Sequence, residues 1–258
     1  LIEQSAIALD RARLTRKSTQ ASVARESEKV QSALLSSLSH DLRTPLASIT
    51  GAVTTLRELG DRMPAATRAD LLASIEEEAG RLNRFVTNLF EMTRIESGML
   101  RARRDPVDVA AVVNAAVARA GRLHPGLAVE ISLADPMPRA SGDAVLLEQV
   151  LFNLLDNARK YGGDAPVTVY ARSDGGEVMI SVSDQGKGIP EADLERIFDK
   201  FYRRTKGDGR QAGTGLGLAI ARGLITAMGG SIKAQSPASR RRGTRFVIRL
   251  PRAGEAAA

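Results

Sequence analysis

The chain contains no cysteine and no tryptophan, only two histidines, and three tyrosines with six phenylalanines among 258 residues. The first absence removes disulfides and thiolate metal sites and is compatible with a reducing compartment. With His40 and His124 as the whole histidine complement, a multi-histidine metal site is excluded as well. No uninterrupted apolar run reaches the ~18 residues that a membrane span needs, and the N-terminus lacks the apolar core and cleavage site of a signal peptide. The scarcity of aromatics leaves little surface on which bases could stack. A net charge of +7 favours nucleic acid, but Lys and Arg are spread along the whole chain, with one short cluster at Arg240-Arg241-Arg242. The basic balance therefore reads as a solvated surface near an anionic membrane or an acidic partner, and no direct nucleic-acid contact is expected.

What is present is ordinary for a globular protein: 43% hydrophobic and 26% charged residues, in a length that holds one large domain or two smaller ones. Leu1-Ile2-Glu3 carries no initiator methionine, so the chain is expected to be a fragment of something longer, whose missing part has room for membrane helices.

The first hundred residues read as helix. Apolar residues recur at steps of three and four through Leu34, Leu38, Leu42, Pro45, Ile49, Val53 and Leu56, and again through Leu72, Ile75, Ala79, Leu82, Val86 and Leu89. Such steps place one apolar stripe on each helix. Gly60 and Pro64 break the pattern between them, which predicts a helical hairpin over residues 34–98. A lone hairpin buries too little surface, so a homodimer forming a four-helix bundle is expected. Before it, residues 1–33 carry a thinner stripe and read as a connecting helix; residues 99–106 read as a linker.

From residue 107 to 252 the texture is α+β. Helices are predicted over about 109–120, 143–161 and 218–228, and strands near 129–133, 167–171, 178–182, 231–234 and 244–250. Asp174-Gly175-Gly176 gives a hairpin signal. This order suggests a sandwich, not regular βαβ repetition. Residues 253–258 are expected to be a disordered tail.

Four segments carry chemistry. In Ser39-His40-Asp41-Leu42-Arg43-Thr44-Pro45, His40 lies off the apolar stripe. A neutral imidazole is a nucleophile when one nitrogen is free, and the adjacent Asp41 can hold the proton on the other. Thr44 falls four residues on, on the same helix face, where a hydroxyl could orient water. Pro45 removes a backbone hydrogen bond and should bend the helix. Taken alone, a solvent-facing His beside Asp is also an ordinary surface feature.

Along residues 148–161, Glu148, Asn153, Asn157, Lys160 and Tyr161 give an otherwise apolar helix one polar face. An amide oxygen suits Mg²⁺, and a lysine suits phosphates; a helix whose polar residues cap neighbouring loops is the bland alternative. Asp184-Gln185-Gly186-Lys187-Gly188-Ile189-Pro190 follows a predicted strand, where glycines allow close backbone approach and a fixed carboxylate can accept a bond from an exocyclic amine. An ordinary glycine-rich turn fits that segment too. Finally, Gly213-Thr214-Gly215-Leu216-Gly217-Leu218 opens a helix and offers free N–H groups to phosphate. It lacks the preceding strand of a dinucleotide-binding unit.

Together these segments resemble the sensor histidine kinases, in family order over roughly residues 33–250. His40-Asp41-Leu42-Arg43-Thr44-Pro45-Leu46 is similar to the phosphoacceptor box; the resemblance makes His40 the phosphoacceptor, Asp41 the general base and Thr44 the residue positioning water for dephosphorylation of a partner regulator. Residues 148–161 resemble the N box, with Asn157 as the Mg²⁺ ligand, Asn153 and Lys160 near the phosphates and Tyr161 near the nucleotide; Gly162 departs from the Ser or Thr that many members place there. Asp184 would recognise adenine in a G1 box that includes Gly186, Gly188 and Ile189. The run Gly213, Thr214, Gly215, Leu216, Gly217 and Leu218 resembles the G2 box. Phe198-Asp199-Lys200-Phe201-Tyr202 is similar to the F box, anchoring a basic lid over about 187–214 in which Arg210 would contact the γ-phosphate.

The implied fold is a phosphoacceptor hairpin followed by a GHKL-type (Bergerat) ATP-binding sandwich, using ATP and Mg²⁺. The implied partner is a response regulator with a receiver domain, and the parent chain would lie in the bacterial inner membrane, facing the cytoplasm. Residues 35–40, 78–84 and 197–203 resemble the KdpD-type potassium-responsive branch, whose partner would be a KdpE-type regulator. Two rival readings stand beside this one. GHKL ATPases such as gyrase carry a glutamate base four residues before the metal-binding asparagine, where this chain has Asn153. A non-catalytic dimerisation scaffold is the other.

Overall fold

The computed structural model describes residues 42–163, 165–203, 215–238 and 242–254. His40, Asp41, Arg210, Gly213, Thr214 and the expected connecting helix 1–33 lie outside the described residues. The chain divides into two compact units between Arg84 and Phe85.

In the first unit, a helix α1 covers residues 42–59 and continues through Pro45, which is buried. A short 3-10 turn at Gly60–Arg62 precedes helix α2 (Ala65–Glu96), so the break falls at the expected Gly60 and Pro64. Among the described residues, Val53 and Leu72 of the apolar stripes, and Leu46 and Leu59 beside them, are each about half exposed. Leucine and valine in that state favour a further helical surface to cover them.

The second unit takes in the last turns of α2, from Phe85, where Phe85 and Met92 are buried. Its strands and helices follow as β1 (Asp105–Val107), α3 (Val109–Leu123), β2 (Val129–Leu133), β3 (Ala140–Gly142), α4 (Ala144–Tyr161), β4 (Val167–Asp174), β5 (Glu177–Ser183), α5 (Gly217–Ala227), β6 (Ser231–Gln235) and β7 (Arg245–Pro251). Five strands form one sheet in the order β2-β4-β5-β7-β6, parallel only at β2-β4. The alternation in β7, with Phe246, Ile248 and Leu250 buried and their neighbours half exposed, is that of a sheet covered on one face. That cover is helical: Val113 and Ala116 of α3, Leu147, Leu151 and Leu154 of α4, and Ile220 and Leu224 of α5 join Val169, Ile180 and Ile248 in one core.

The helix starts have local causes. The Asp108 side chain accepts from the Ala111 N–H (3.0 Å), and the Asp143 side chain accepts from Val145 (3.0 Å) and Leu146 (3.3 Å), so Asp143 caps α4 from outside it. Two boundaries differ from expectation. Asp105 and Pro106, expected in the linker, belong to β1, which pairs antiparallel with the unforeseen β3. Ala253, expected in a disordered tail, donates its N–H to the Arg139 carbonyl at 2.9 Å.

Candidate nucleotide-binding site

The polar face of α4 is set by phase. Leu147, Val150, Leu151, Leu154, Leu155 and Ala158 are buried, which turns Asn153, Asn157, Lys160 and Tyr161 to the other side. The Asn153 amide donates to the Gly217 carbonyl (3.4 Å), tying this face to the start of α5. The Asn157 side chain is half-buried and has no hydrogen-bond partner among the described residues, so its amide oxygen is open to a ligand. Lys160 pairs with Asp156 one turn earlier. Tyr161 is 52% exposed at the helix end.

Asp184 sits just beyond β5 and is 8% exposed. Its Oδ1 accepts from the backbone N–H groups of Gly186 (2.9 Å) and Thr244 (3.1 Å), and among the described residues Oδ2 accepts nothing. Burial pushes this carboxyl above its usual 3.8; the two backbone hydrogen bonds pull the other way without cancelling it. A carboxylate oxygen fixed at one end and open at the other can accept from an exocyclic amine.

Close backbone approach holds the loop there. A Cβ at Gly186 would fall 2.0 Å from the Tyr161 carbonyl oxygen, and one at Gly162 would fall 2.8 Å from the Asp184 Cβ. A Cβ at Gly162 would also fall 2.4 Å from the Ala158 carbonyl oxygen, so the glycine leaves room both for the end of α4 itself and for Asp184 beside it. Ile189 donates its N–H to the Ser236 hydroxyl (2.9 Å), which donates to the Gly243 carbonyl (3.0 Å), and Gly243 returns its N–H to Gly186 (2.9 Å). These bonds pin the Gly186, Gly188 and Ile189 segment to the loop before β7.

On the far side, Phe198 is buried edge-on against Phe246, ring centroids 6.2 Å apart, with the Arg222 guanidinium 4.1 Å over its face. The Phe201 N–H donates to the Gly215 carbonyl at 3.0 Å, and Tyr202 donates its hydroxyl to Asp193 at 2.7 Å. Both flanks of residues 204–214 are thus held by hydrogen bonds among the described residues. Leu216 is fully buried and its side chain gives no cap to α5, so among the described residues no capping side chain takes up the first N–H groups of the helix, at Gly217 and Leu218.

The arrangement brings the open faces of α4, Asp184 and the α5 N-terminus to one side of the second unit. Thr44 is exposed on α1, in the first unit. Sequence reasoning missed Ser236, Gly243 and Thr244, which hold the Asp184 loop through backbone and hydroxyl atoms, and missed His124 and Asp156 entirely.

An α/β sandwich of this topology, with an amide-bearing helix facing a buried aspartate, defines an ATPase-type nucleotide domain. Residues 142–254 match the histidine kinase-, DNA gyrase B- and HSP90-like ATPase family, and residues 30–98 match the His Kinase A (phospho-acceptor) domain. The chain therefore carries a phospho-acceptor domain followed by an ATPase domain of these two families, and its curated relatives are sensor kinases. It is 36% identical to the sensor protein KdpD of Clostridium acetobutylicum over 253 residues, which is 96% of this chain and 28% of that protein. With KdpD of Escherichia coli K12 it shares 38% over 232 residues, 88% of this chain and 25% of that protein. The chain thus spans about a quarter of the length of these curated relatives. Among solved structures it is similar to full-length ShkA in complex with AMPPNP, with a TM-score of 0.63 and 29% identity, covering 86% of this chain and 46% of that one. It shares its fold with ThkA in complex with the response regulator TrrA, at a TM-score of 0.66 and 21% identity over 89% of this chain and 64% of that one. Among the described residues no helix is long and apolar enough to cross a membrane.

Proposed function

We propose that this chain is the catalytic core of a protein-histidine kinase that phosphorylates its own His40 from ATP and passes the phosphoryl group to an aspartate of a response regulator. The observation that carries the nucleotide half is Asp184, a buried carboxylate with Oδ1 saturated by backbone N–H groups and Oδ2 open, which suits the adenine amine. By this reading Asn153, Lys160, Gly215, Gly217 and Leu218 serve the phosphates and Tyr161, Gly188, Ile189, Phe198 and Leu216 the nucleotide cleft, while Arg210, Gly213 and Thr214, outside the described residues, are further phosphate contacts.

The half-buried, unspent amide of Asn157 fits Mg²⁺, which favours oxygen ligands and keeps waters and phosphate oxygens as its others. When bound, the ion neutralises charge on the triphosphate. The chain's own groups do the rest by positioning. Asp41 keeps the proton on Nδ1 of His40, leaving Nε2 to attack the γ-phosphorus. The N–P bond forms as the bond to the bridging oxygen breaks, and ADP leaves with the electron pair. The regulator's aspartate then takes the phosphoryl group from the imidazole. Thr44, exposed on α1, orients the water that hydrolyses the regulator's aspartyl phosphate in a separate phosphatase activity.

Half-exposed apolar residues on both helices, Leu46 and Val53 on α1 and Leu72 on α2, support a homodimer through a four-helix bundle. Similarity to KdpD sensor proteins supports a KdpE-type regulator as partner, and a membrane-anchored parent chain facing the cytoplasm belongs to the same reading. Asn153, at the place where a hydrolytic relative carries its glutamate base, weighs against water attack as the main reaction. Incubation with γ-labelled ATP and Mg²⁺ tests the proposal: acid-labile label on the protein, absent in His40→Gln, is expected. Free phosphate without labelled protein would replace the kinase with an ATPase.

A further inference from the structure

His124 and Asp156 have no part in the reaction above, yet they stand beside a residue that does. Asp156 sits on α4, one turn before Lys160, and the two side chains are paired. The other oxygen of the same carboxylate, Oδ1, accepts from Nε2 of His124 at 2.9 Å. All three groups are mostly covered: 25% exposed for His124, 24% for Asp156 and 31% for Lys160. His124 is itself fixed at the end of α3, donating its backbone N–H to Ala120 (2.8 Å) and accepting from Leu127 (3.1 Å) at its carbonyl. A second α3–α4 contact runs alongside, where Arg119 meets Glu148 at 3.5 Å and covers the Phe152 ring at 4.4 Å.

A lysine is a point charge on a four-carbon stem that samples many rotamers, and ordering it costs free energy at the moment a ligand binds. A partner that already holds the stem lowers that cost, provided the ammonium keeps donors to spare. Lys160 has three N–H donors, so a bond to Asp156 leaves two.

We infer that Asp156 is a positioning residue for Lys160, clamped in turn by His124, and that this His–Asp–Lys relay sets the affinity for the phosphates of ATP. It deepens the proposed function and rests on the placement of Lys160 near the phosphates. Because it reads binding, not phosphorylation, it can fail while the kinase stands.

The test measures dissociation constants of ATP–Mg²⁺ and of adenosine for the whole chain and its variants. Lys160→Ala is the reference and weakens ATP binding. Asp156→Ala is expected to weaken it on the order of three- to tenfold, with adenosine unchanged. The double variant is expected to bind no more weakly than Lys160→Ala alone. His124→Ala shows a smaller loss, recovered in His124→Gln, whose amide keeps a donor near the place of Nε2. The relay is overturned if Asp156→Ala binds ATP as well as or better than the parent chain, if adenosine weakens in parallel, or if the two losses multiply in the double variant. A Lys160→Ala protein that binds ATP normally overturns both the relay and the assignment of Lys160, and leaves the autophosphorylation assay untouched.

Discussion

The Thr244 backbone N–H donates to Oδ1 of Asp184 across 3.1 Å, from a strand entry 60 residues further along the chain. With the Gly186 N–H on the same oxygen, the carboxylate is oriented before any ligand arrives. Replacing Asp184 by Asn keeps an acceptor for both N–H groups but turns the open oxygen into an amine. Facing the adenine amine, donor would meet donor. The expected cost is about 1–3 kcal/mol, or roughly a 5- to 150-fold loss of ATP affinity. Thermal stability is expected to stay level or rise, since a buried charge is removed. A binding isotherm and a melting curve on one preparation check both halves; a normal isotherm removes Asp184 from adenine recognition.

The same carboxyl gives a pH signature. Its folded-state pKa is raised by burial, so the folded protein holds this proton more tightly than the unfolded chain. Its contribution to stability is full below the usual 3.8 and is lost as pH rises through the raised folded value. Accepting from adenine needs the ionised form, so affinity moves the opposite way. Melting temperatures of the parent chain and Asp184→Asn, compared across the acid range, isolate this group. The parent is expected to lose ground to the variant as pH increases, and parallel curves would contradict the assignment.

Much of this was legible in the sequence because period and turn chemistry are local. Leu147, Val150, Leu151, Leu154 and Leu155 announce a one-sided helix, and Asn153 and Asn157 fall on its other side by phase alone. Strands β1 and β3 were not legible: three residues carry no alternation, and what makes them strands is the pairing of Asp105 with Gly142 across the fold. Ser236 and Thr244 escaped for a related reason. They act on the Asp184 loop through a hydroxyl and a backbone N–H, which residue type does not disclose at that separation. His124 carries no local signal either, since it is the α3–α4 packing that brings it to Asp156.

Gly186 offers a steric test of how the Asp184 loop is held. An added methyl would meet the Tyr161 carbonyl oxygen at 2.0 Å and the Gly162 Cα at 3.0 Å, both backbone atoms that cannot swing aside. Gly186→Ala must therefore part the loop from the end of α4, at an expected cost of about 1–3 kcal/mol in stability. The Gly186 N–H moves with it, so Asp184 loses alignment and ATP affinity falls further than stability alone accounts for. Denaturant titration and ATP binding, measured below the unfolding range, separate the two effects. Unchanged stability would mean that the contact is looser than the structure has it.

Thr44 separates the two phosphoryl activities. It is exposed on α1, one turn beyond His40 in sequence, so its replacement by Ala should change stability by no more than about 0.5 kcal/mol. Autophosphorylation needs the imidazole and the nucleotide, and its rate is expected to stay within about twofold. Dephosphorylation of the regulator needs an oriented water, and losing the group that orients it is expected to cost roughly tenfold or more. Following phosphoryl loss from a labelled regulator with the parent chain and with Thr44→Ala makes the comparison. An equal rate of loss would place the water under the control of another residue, while an equal fall in both activities would mean that Thr44 serves the helix and not the chemistry.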